Sequence, residues 1–379
     1  MIGIVTPYKI NNYGTKLQAY AMQQLMRKYD DAELLGFVPG SDYRINAVIG
    51  KLYLKTSRAL KTRTVVEETV EMKRRAKVIA EFDKNYYFGN KVKGNNALKV
   101  ELQKYDSIVC GSDQLWAPSN VIADYFTLTI IPDHINKFSY AASFGVNQVP
   151  VSLKSKYKRY LSRLNAISVR EEQGKNIVKA VSDKDAQIVL DPTFMLEADE
   201  WESISQMSSI CELEPYIFCY FLGTNLNHRK FAEKLAKDTG KKLVTFPHFK
   251  VWNEVDVNFG DERIYEAGPA EFVKLIHYAD YICTDSFHGT VFSIIFNRQV
   301  AVFERFQKGT VESTNSRIYN LLKNLGMEDR LYTDETDVNR AIRTHIDYET
   351  VNEKLRRLKE KSFQFLDGAL RIKRRTSYD

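Results

Sequence analysis

The strongest chemical signal in this chain is the stretch Thr284-Asp285-Ser286-Phe287-His288-Gly289-Thr290. It follows the strand-like run Tyr281–Thr284 and opens a helical run, so it reads as a strand-to-helix junction. A helix N-terminus presents unpaired N–H groups and a partial positive charge, which attract anions. Gly289 would let a ligand approach the backbone, and His288 could add a proton or a charge. A plain N-cap at Asp285 or Ser286, with His288 a satisfied polar residue, fits the same letters.

A second junction is Val302-Phe303-Glu304-Arg305, followed by Lys308-Gly309 and a polar run leading to Arg317. Arginine forms bidentate bonds with phosphate and carboxylate, though ion pairs with Glu304 or Glu312 would also explain these cations. In Val109-Cys110-Gly111-Ser112-Asp113-Gln114-Leu115-Trp116 a strand runs into a small-residue turn. Asp113 there suits a base or a sugar-hydroxyl ligand, with Trp116 a stacking surface or simply core. Ile167-Ser168-Val169-Arg170-Glu171 puts an arginine at a strand end, for a ligand or for a surface pair with Glu171. Asn12-Tyr13-Gly14 and Gln18 form a polar loop at the first βα turn, without a G-x-G-x-x-G dinucleotide signature. The histidines have no H-x-x-x-H or H-E-x-x-H spacing, and neither a G-x-S-x-G elbow nor a P-loop occurs. Metal catalysis therefore has no support in the sequence.

The elements that must position these groups alternate strand and helix almost throughout, which indicates parallel sheets of βα units. Strands are expected at Ile2–Thr6, Glu33–Val38, Ser107–Cys110, Phe138–Ser143, Ala166–Arg170 and Gln187–Leu190. After an acidic, loop-like stretch at Glu197–Glu214 the series resumes with Tyr216–Leu222, Lys242–Phe246, Tyr281–Thr284 and Val300–Glu304. The 379 residues thus divide into a domain over 1–200, carrying a charged helical insertion at about 46–83, and one over 201–340. Basic helices fill 341–379. Ligands of such sheets bind beyond the carboxyl ends of the strands, so a cleft between the two halves is the place to look.

Composition narrows the partners. Of the four cysteines, Cys110, Cys219 and Cys283 lie in apolar runs and read as buried thiols of a reducing compartment. No apolar run approaches the roughly 18–20 residues of a membrane span, and the start does not resemble a signal peptide. The formal charge of +7 is concentrated in residues 51–80 and from Lys354 to Arg375, patches that suit an anionic membrane surface or a plain solvated helix face. A cytoplasmic protein is expected, peripheral on the inner face of the plasma membrane if those patches bind lipid.

Several blocks, in order, resemble the polysaccharide pyruvyl transferase family. They are Asn12-Tyr13-Gly14 with Gln18, Gly111–Trp116, Ser139–Gly145, Ser168–Glu171, Asp191-Pro192-Thr193, Gly268-Pro269 with Glu271-Phe272, and Thr284–Thr290 leading into Phe292–Phe296. The resemblance implies an α/β fold of two Rossmann-like domains facing a cleft, glycosyltransferase-B-like. It implies transfer of pyruvate from phosphoenolpyruvate onto two sugar hydroxyls as a cyclic ketal, in capsular or exopolysaccharide biosynthesis. The donor is then a co-substrate, with no further cofactor, metal or nucleic acid. On this reading His288 and Asp113 are catalytic, and Arg170, Ser286, Gly289, Thr290, Arg305, Lys308 and Arg317 bind the donor. Asn12, Tyr13, Gln18, Gln114 and Trp116 meet the sugar or a lipid-linked oligosaccharide acceptor.

One position departs from the family. Many members carry Ser-x-Arg-x-His, whereas Ser286 stands here at the arginine position, leaving Arg305, Lys308 and Arg317 to supply the charge. Two other readings fit the same fold: a nucleotide-sugar glycosyltransferase, and a non-catalytic glycan-binding member.

Overall fold

The computed structural model describes residues 1–38, 69–121, 125–211, 214–247, 254–306, 315–371 and 374. Among them, two six-stranded sheets are built from short apolar strands whose neighbours all pair in parallel. The first contains β1 (Ile2–Val5), β2 (Ala32–Leu34), β5 (Ser107–Cys110), β6 (Asn136–Ala142), β7 (Ala166–Val169) and β8 (Gln187–Ile188). Their spatial order is β2-β1-β5-β6-β7-β8; β3 (Phe37–Val38) and β4 (Val92–Lys93) pair separately. The second sheet holds β9 (Tyr216–Tyr220), β10 (Lys242–Thr245), β11 (Glu262–Arg263), β12 (Tyr281–Thr284), β13 (Gln299–Phe303) and β14 (Leu331–Tyr332). Its order, β11-β10-β9-β12-β13-β14, is that of a doubly wound Rossmann sheet. The fold is α/β, with two Rossmann-like domains in a glycosyltransferase-B-like arrangement.

The central strands β1, β5, β9 and β12 are almost wholly buried, because helices cover both faces of a parallel sheet. Each sheet reverses its direction of growth once, between β1 and β5 in the first and between β9 and β12 in the second. The loops leaving those four strands are where a ligand fits.

One apolar core runs through both domains. Tyr13, at the start of the helix Tyr13–Arg27, stacks on Phe272 of the second domain at 5.2 Å and donates from its hydroxyl to the Ala267 carbonyl. The helix Tyr348–Leu370 spans the joint. Its first half bonds the second domain through Tyr348 and Asn352, and its second half bonds the first domain through Ser362, Asp367 and Ala369. The helix Val70–Glu81 gives structure to the end of the expected 46–83 insertion; residues 46–68 lie outside the described residues. From it, buried Arg75 donates to the carbonyls of Pro247, Ile264 and Tyr265.

The linker differs from the expected acidic loop. Ala198–Ser205 is a helix whose first turn is closed by the Glu200 side chain, which accepts from the Glu197 N–H at 2.7 Å. Its acidic residues sit in the first turn, where the helix dipole favours them, while Trp201 packs edge-on to Phe292 at 4.8 Å. Strands β1, β6, β7, β8, β9, β10 and β13 end a residue or two earlier than expected, and the expected strand Glu33–Val38 is divided into β2 and β3.

Candidate active site

The loops after β1, β5, β9 and β12 converge on a cavity of about 260 Å³, near the lower end for small-ligand pockets at about 300–1,000 Å³. The two domains contribute different chemistry. The first supplies Asn12, Thr15, Asp113, Gln114, Ser119 and Asn120, which are neutral polar groups around one carboxylate. The second supplies Ser286, His288, Arg305, Asn315 and Arg317, together with Asp285.

Local sequence explains how each group is held. Asp113 has φ 71, a left-handed conformation that aspartate tolerates better than most residues. Its carbonyl accepts from the backbone of Leu115 and Ser143, and its carboxylate accepts from the Thr15 hydroxyl at 3.0 Å. Ser286 is the N-cap of the helix Phe287–Ile295 and accepts from the Gly289 N–H. Asp285 receives the N–H groups of Leu222 and Gly223 at 2.7 and 2.8 Å, tying the β9 loop to the β12 turn. Gly14 abuts the His288 ring so closely that a Cβ there would lie 2.1 Å from Nδ1.

Behind the cavity wall lies a buried charge network. Arg170 donates from Nη1 to Asp191 at 2.7 Å, and its Nη2 stands 3.7 Å from Asp113. Its guanidinium lies 4.5 Å from the Phe287 ring, while that of Arg317 lies 5.6 Å from the same ring. Phe287 therefore collects two cations on one aromatic surface. Burial works against ionising Asp113 and Asp191, yet the neighbouring Arg170 and His288 hold both carboxyls below the usual carboxylate range. Burial pushes the Asp285 carboxyl up and the His288 imidazole down. Desolvation, and then the charge of Arg170, brings Arg317 down to about 10, so it stays charged at neutral pH.

The residues expected from sequence divide clearly. Asn12, Asp113, Gln114, Ser286, His288, Arg305 and Arg317 meet at the cavity. Tyr13, Gln18, Trp116, Arg170, Gly289 and Thr290 do not line it. Tyr13 belongs to the interdomain core, and Trp116 packs between Phe144 and Tyr160 while its indole N–H donates to the Phe126 carbonyl. Gln18 is spent on local bonds to Thr6, Pro7, Thr15 and Ser112. Thr290 donates to the Ser286 carbonyl, and Gly289 packs on Thr284. Lys308 lies outside the described residues. Sequence reasoning missed Thr15, Asp191, Asp285 as a loop tie, and Asn315. An Asx-Pro turn at Asp191-Pro192-Thr193 was the available signal for the second of these. Among the described residues, no group of three or more His, Cys, Asp or Glu could hold a metal ion.

A family model for polysaccharide pyruvyl transferase matches residues 12–305, which contain the site residues just described from Asn12 to Arg305. The chain belongs to the polysaccharide pyruvyl transferase family. Membership makes it a transferase and implies a sugar acceptor. No curated protein matches it. Among solved structures, a Listeria monocytogenes structure named for UDP-N-acetylglucosamine 2-epimerase superposes with a TM-score of 0.51 at 10% identity, over 95% of this chain and 90% of that one. UDP-N-acetylglucosamine 2-epimerase from Rickettsia bellii gives 0.49 at 12% identity, over 97% and 95%. The glycosyltransferase SnogD from Streptomyces nogalater gives 0.43 at 10%, over 98% of each chain. Identities this low concern the fold alone. Two guanidinium groups, Arg305 and Arg317, share the cavity with Ser286 and His288.

Proposed function

We propose that this pyruvyl transferase moves pyruvate from phosphoenolpyruvate onto two hydroxyls of a hexose, as a cyclic ketal. The observation that carries the reading is the division of charge across the cavity: neutral amides and hydroxyls with Asp113 on one wall, Arg305 and Arg317 with a helix N-terminus on the other, where the Asp285 carboxyl is taken up by the Leu222 and Gly223 N–H groups. The first wall suits sugar hydroxyls. The second suits a donor that bears both phosphate and carboxylate.

The chemistry then runs in two additions to one carbon. Protonating the methylene of the enolpyruvyl group makes C2 electrophilic, and one sugar hydroxyl attacks it. Asp113, held ionised, takes that hydroxyl's proton. The C2–O bond to phosphate breaks, the second hydroxyl closes the ring, and its proton leaves with inorganic phosphate. His288 serves as the acid or assists the departing phosphate. Burial holds its free imidazole neutral, and an adjacent dianion raises its affinity for a proton.

We place this activity in capsular or exopolysaccharide synthesis, on a lipid-linked precursor, with the basic C-terminal helix facing an anionic membrane. Among the described residues no helix is long and apolar enough to cross a membrane. The test is incubation with phosphoenolpyruvate and candidate sugars, free and lipid-linked, followed by mass spectrometry. Transfer adds about 70 daltons, pyruvic acid less water, and releases one phosphate. Tight binding of a nucleoside diphosphate, with no phosphate released from phosphoenolpyruvate, would favour the glycosyltransferase reading instead.

A further inference from the structure

The motif Asp191-Pro192-Thr193 has no part in the cavity, yet its aspartate side chain is completely shielded from solvent. Its carboxylate is held from two sides. Oδ1 accepts from the Thr193 N–H at 3.1 Å and the Thr193 hydroxyl at 2.7 Å, a turn that Pro192 pre-sets. Oδ2 accepts from Arg170 Nη1 at 2.7 Å and the Ser112 hydroxyl at 3.0 Å. The same oxygen faces His288 Nε2 at 3.8 Å, and that nitrogen is buried without a hydrogen-bond partner.

His288 is therefore clamped. Gly14 abuts its Nδ1 side, the Phe287 ring meets it edge-on at 5.3 Å, and Asp191 stands opposite Nε2. The charged groups around it come from every element packed there: Asp113 after β5, Arg170 after β7, Asp191 after β8 and Arg317 from the next helix, with Asp285 on its own turn. Of the two carboxylates that favour its protonated form, Asp191 is the stronger.

We propose that Asp191 is a positioning residue for the transfer: its buried carboxylate fixes the inner edge of the His288 ring and stabilises the proton the ring gains when the anionic donor arrives. Arg170, by the same geometry, is the brace that joins Asp191 to Asp113 rather than a donor ligand. A carboxylate behind a histidine sets the ring's orientation and charge without touching substrate. The inference rests on the proposed reaction only for its kinetic arm.

The test uses the full-length chain labelled with ¹³C-histidine, the His288 resonance being assigned by its loss in His288→Gln. In Asp191→Asn the midpoint of the His288 titration moves to lower pH, because the anion that favours the imidazolium is gone. Turnover with phosphoenolpyruvate at neutral pH falls about tenfold or more, a part of the roughly 10²–10⁴-fold that a positioned acid supplies, while KM for the donor changes little. The alkaline limb of the pH–rate profile moves with the titration, because the ring must carry the proton it gives. A folded Asp191→Asn protein whose His288 titrates as in the wild type overturns the proposal. Should Asp191→Asn fail to fold, Ser112→Ala decides: removing one donor from Oδ2 leaves the carboxylate less neutralised, so the His288 midpoint rises. An unchanged midpoint there overturns the proposal equally. The titration needs no substrate, so failure to find a ketal product would sink the reaction and leave the Asp191 result standing.

Discussion

Gly14→Ala probes the site without removing any polar group. Gly14 is the second residue of the helix Tyr13–Arg27, and its backbone there lies outside the left-handed region. Alanine is therefore allowed by the chain and gains about 1 kcal/mol of helix propensity. The cost is steric. The new Cβ would lie 2.1 Å from His288 Nδ1, 2.5 Å from Cγ and 2.9 Å from Cβ, whereas ordinary contact begins at 3.4 Å. The imidazole must then retreat by about 1 Å, or the helix must shift, and overpacking of that kind costs about 1–3 kcal/mol. Net destabilisation should stay within about 2 kcal/mol, leaving the protein folded. The active site suffers more, since a misplacement of about 1 Å costs about 10²-fold in rate, or about 2.7 kcal/mol of barrier. Phosphate release from phosphoenolpyruvate with a verified acceptor, together with a thermal melt, reads both effects. A Gly14→Ala enzyme that melts near wild type and turns over within about threefold of it would refute the placement of His288 in the chemistry.

Other outcomes follow from the same geometry. Arg317→Ala should raise KM for phosphoenolpyruvate about tenfold or more by removing a charge-assisted contact, and restoring the family pattern with Ser286→Arg in that background should recover part of the loss. Equal donor affinity in wild type and Arg317→Ala, measured by calorimetry, would count against the donor wall. Stability should fall as pH drops below about 6.5, because unfolded histidine takes a proton there while buried His288, its affinity depressed, does not. Asp113 and Asp191 add to the loss below the usual carboxylate range, as the pH falls through their depressed values; Asp285, raised by burial, acts in the opposite sense but at higher pH, between its raised value and the usual one. Melts between pH 7 and 5 should show a shallower slope in His288→Gln. Trp201→Ala should cost about 3–5 kcal/mol by opening a cavity in the interdomain core, seen in urea unfolding. Gly368→Ala adds a methyl to an exposed helix position with nothing within 4 Å, so it should gain up to about 1 kcal/mol and leave turnover unchanged.

The fold was legible where local pattern and tertiary packing agree. The strands Ser107–Cys110 and Tyr281–Thr284, and the helix start at Ser316, match residue for residue because apolar runs end abruptly in polar loops. The linker was misread because Asp199 and Glu200 look like loop residues, when their place is the first turn of a helix. Aromatic residues misled for a different reason. Tyr13, at the start of its helix, and Trp116, in a turn, sit beside site residues, and only partners far along the chain decide which way the rings turn. Tyr13 finds Phe272 across the domain joint, and Trp116 finds Tyr160. No local pattern carries that information.

Ser286 and Arg170 show that charge type can be read from sequence while direction cannot. Arginine at position 170 does belong to the site's electrostatics, yet it stands behind the cavity wall, where Nη1 bonds Asp191 while Nε and Nη2 are buried without a hydrogen-bond partner. Serine at 286 leaves a hydroxyl that caps the helix through Gly289 and lines the cavity without charge. The cation comes instead from the following βα unit, where Arg317 reaches the Phe287 ring from the side of the helix Ser316–Leu325. Two guanidinium groups thus lie near the Phe287 ring, Arg170 at 4.5 Å and Arg317 at 5.6 Å, and only the second lines the cavity. With Ser286 uncharged, the positive charge of that wall rests on Arg305 and Arg317, which both follow β13, while the β12 turn contributes the helix N-terminus and His288.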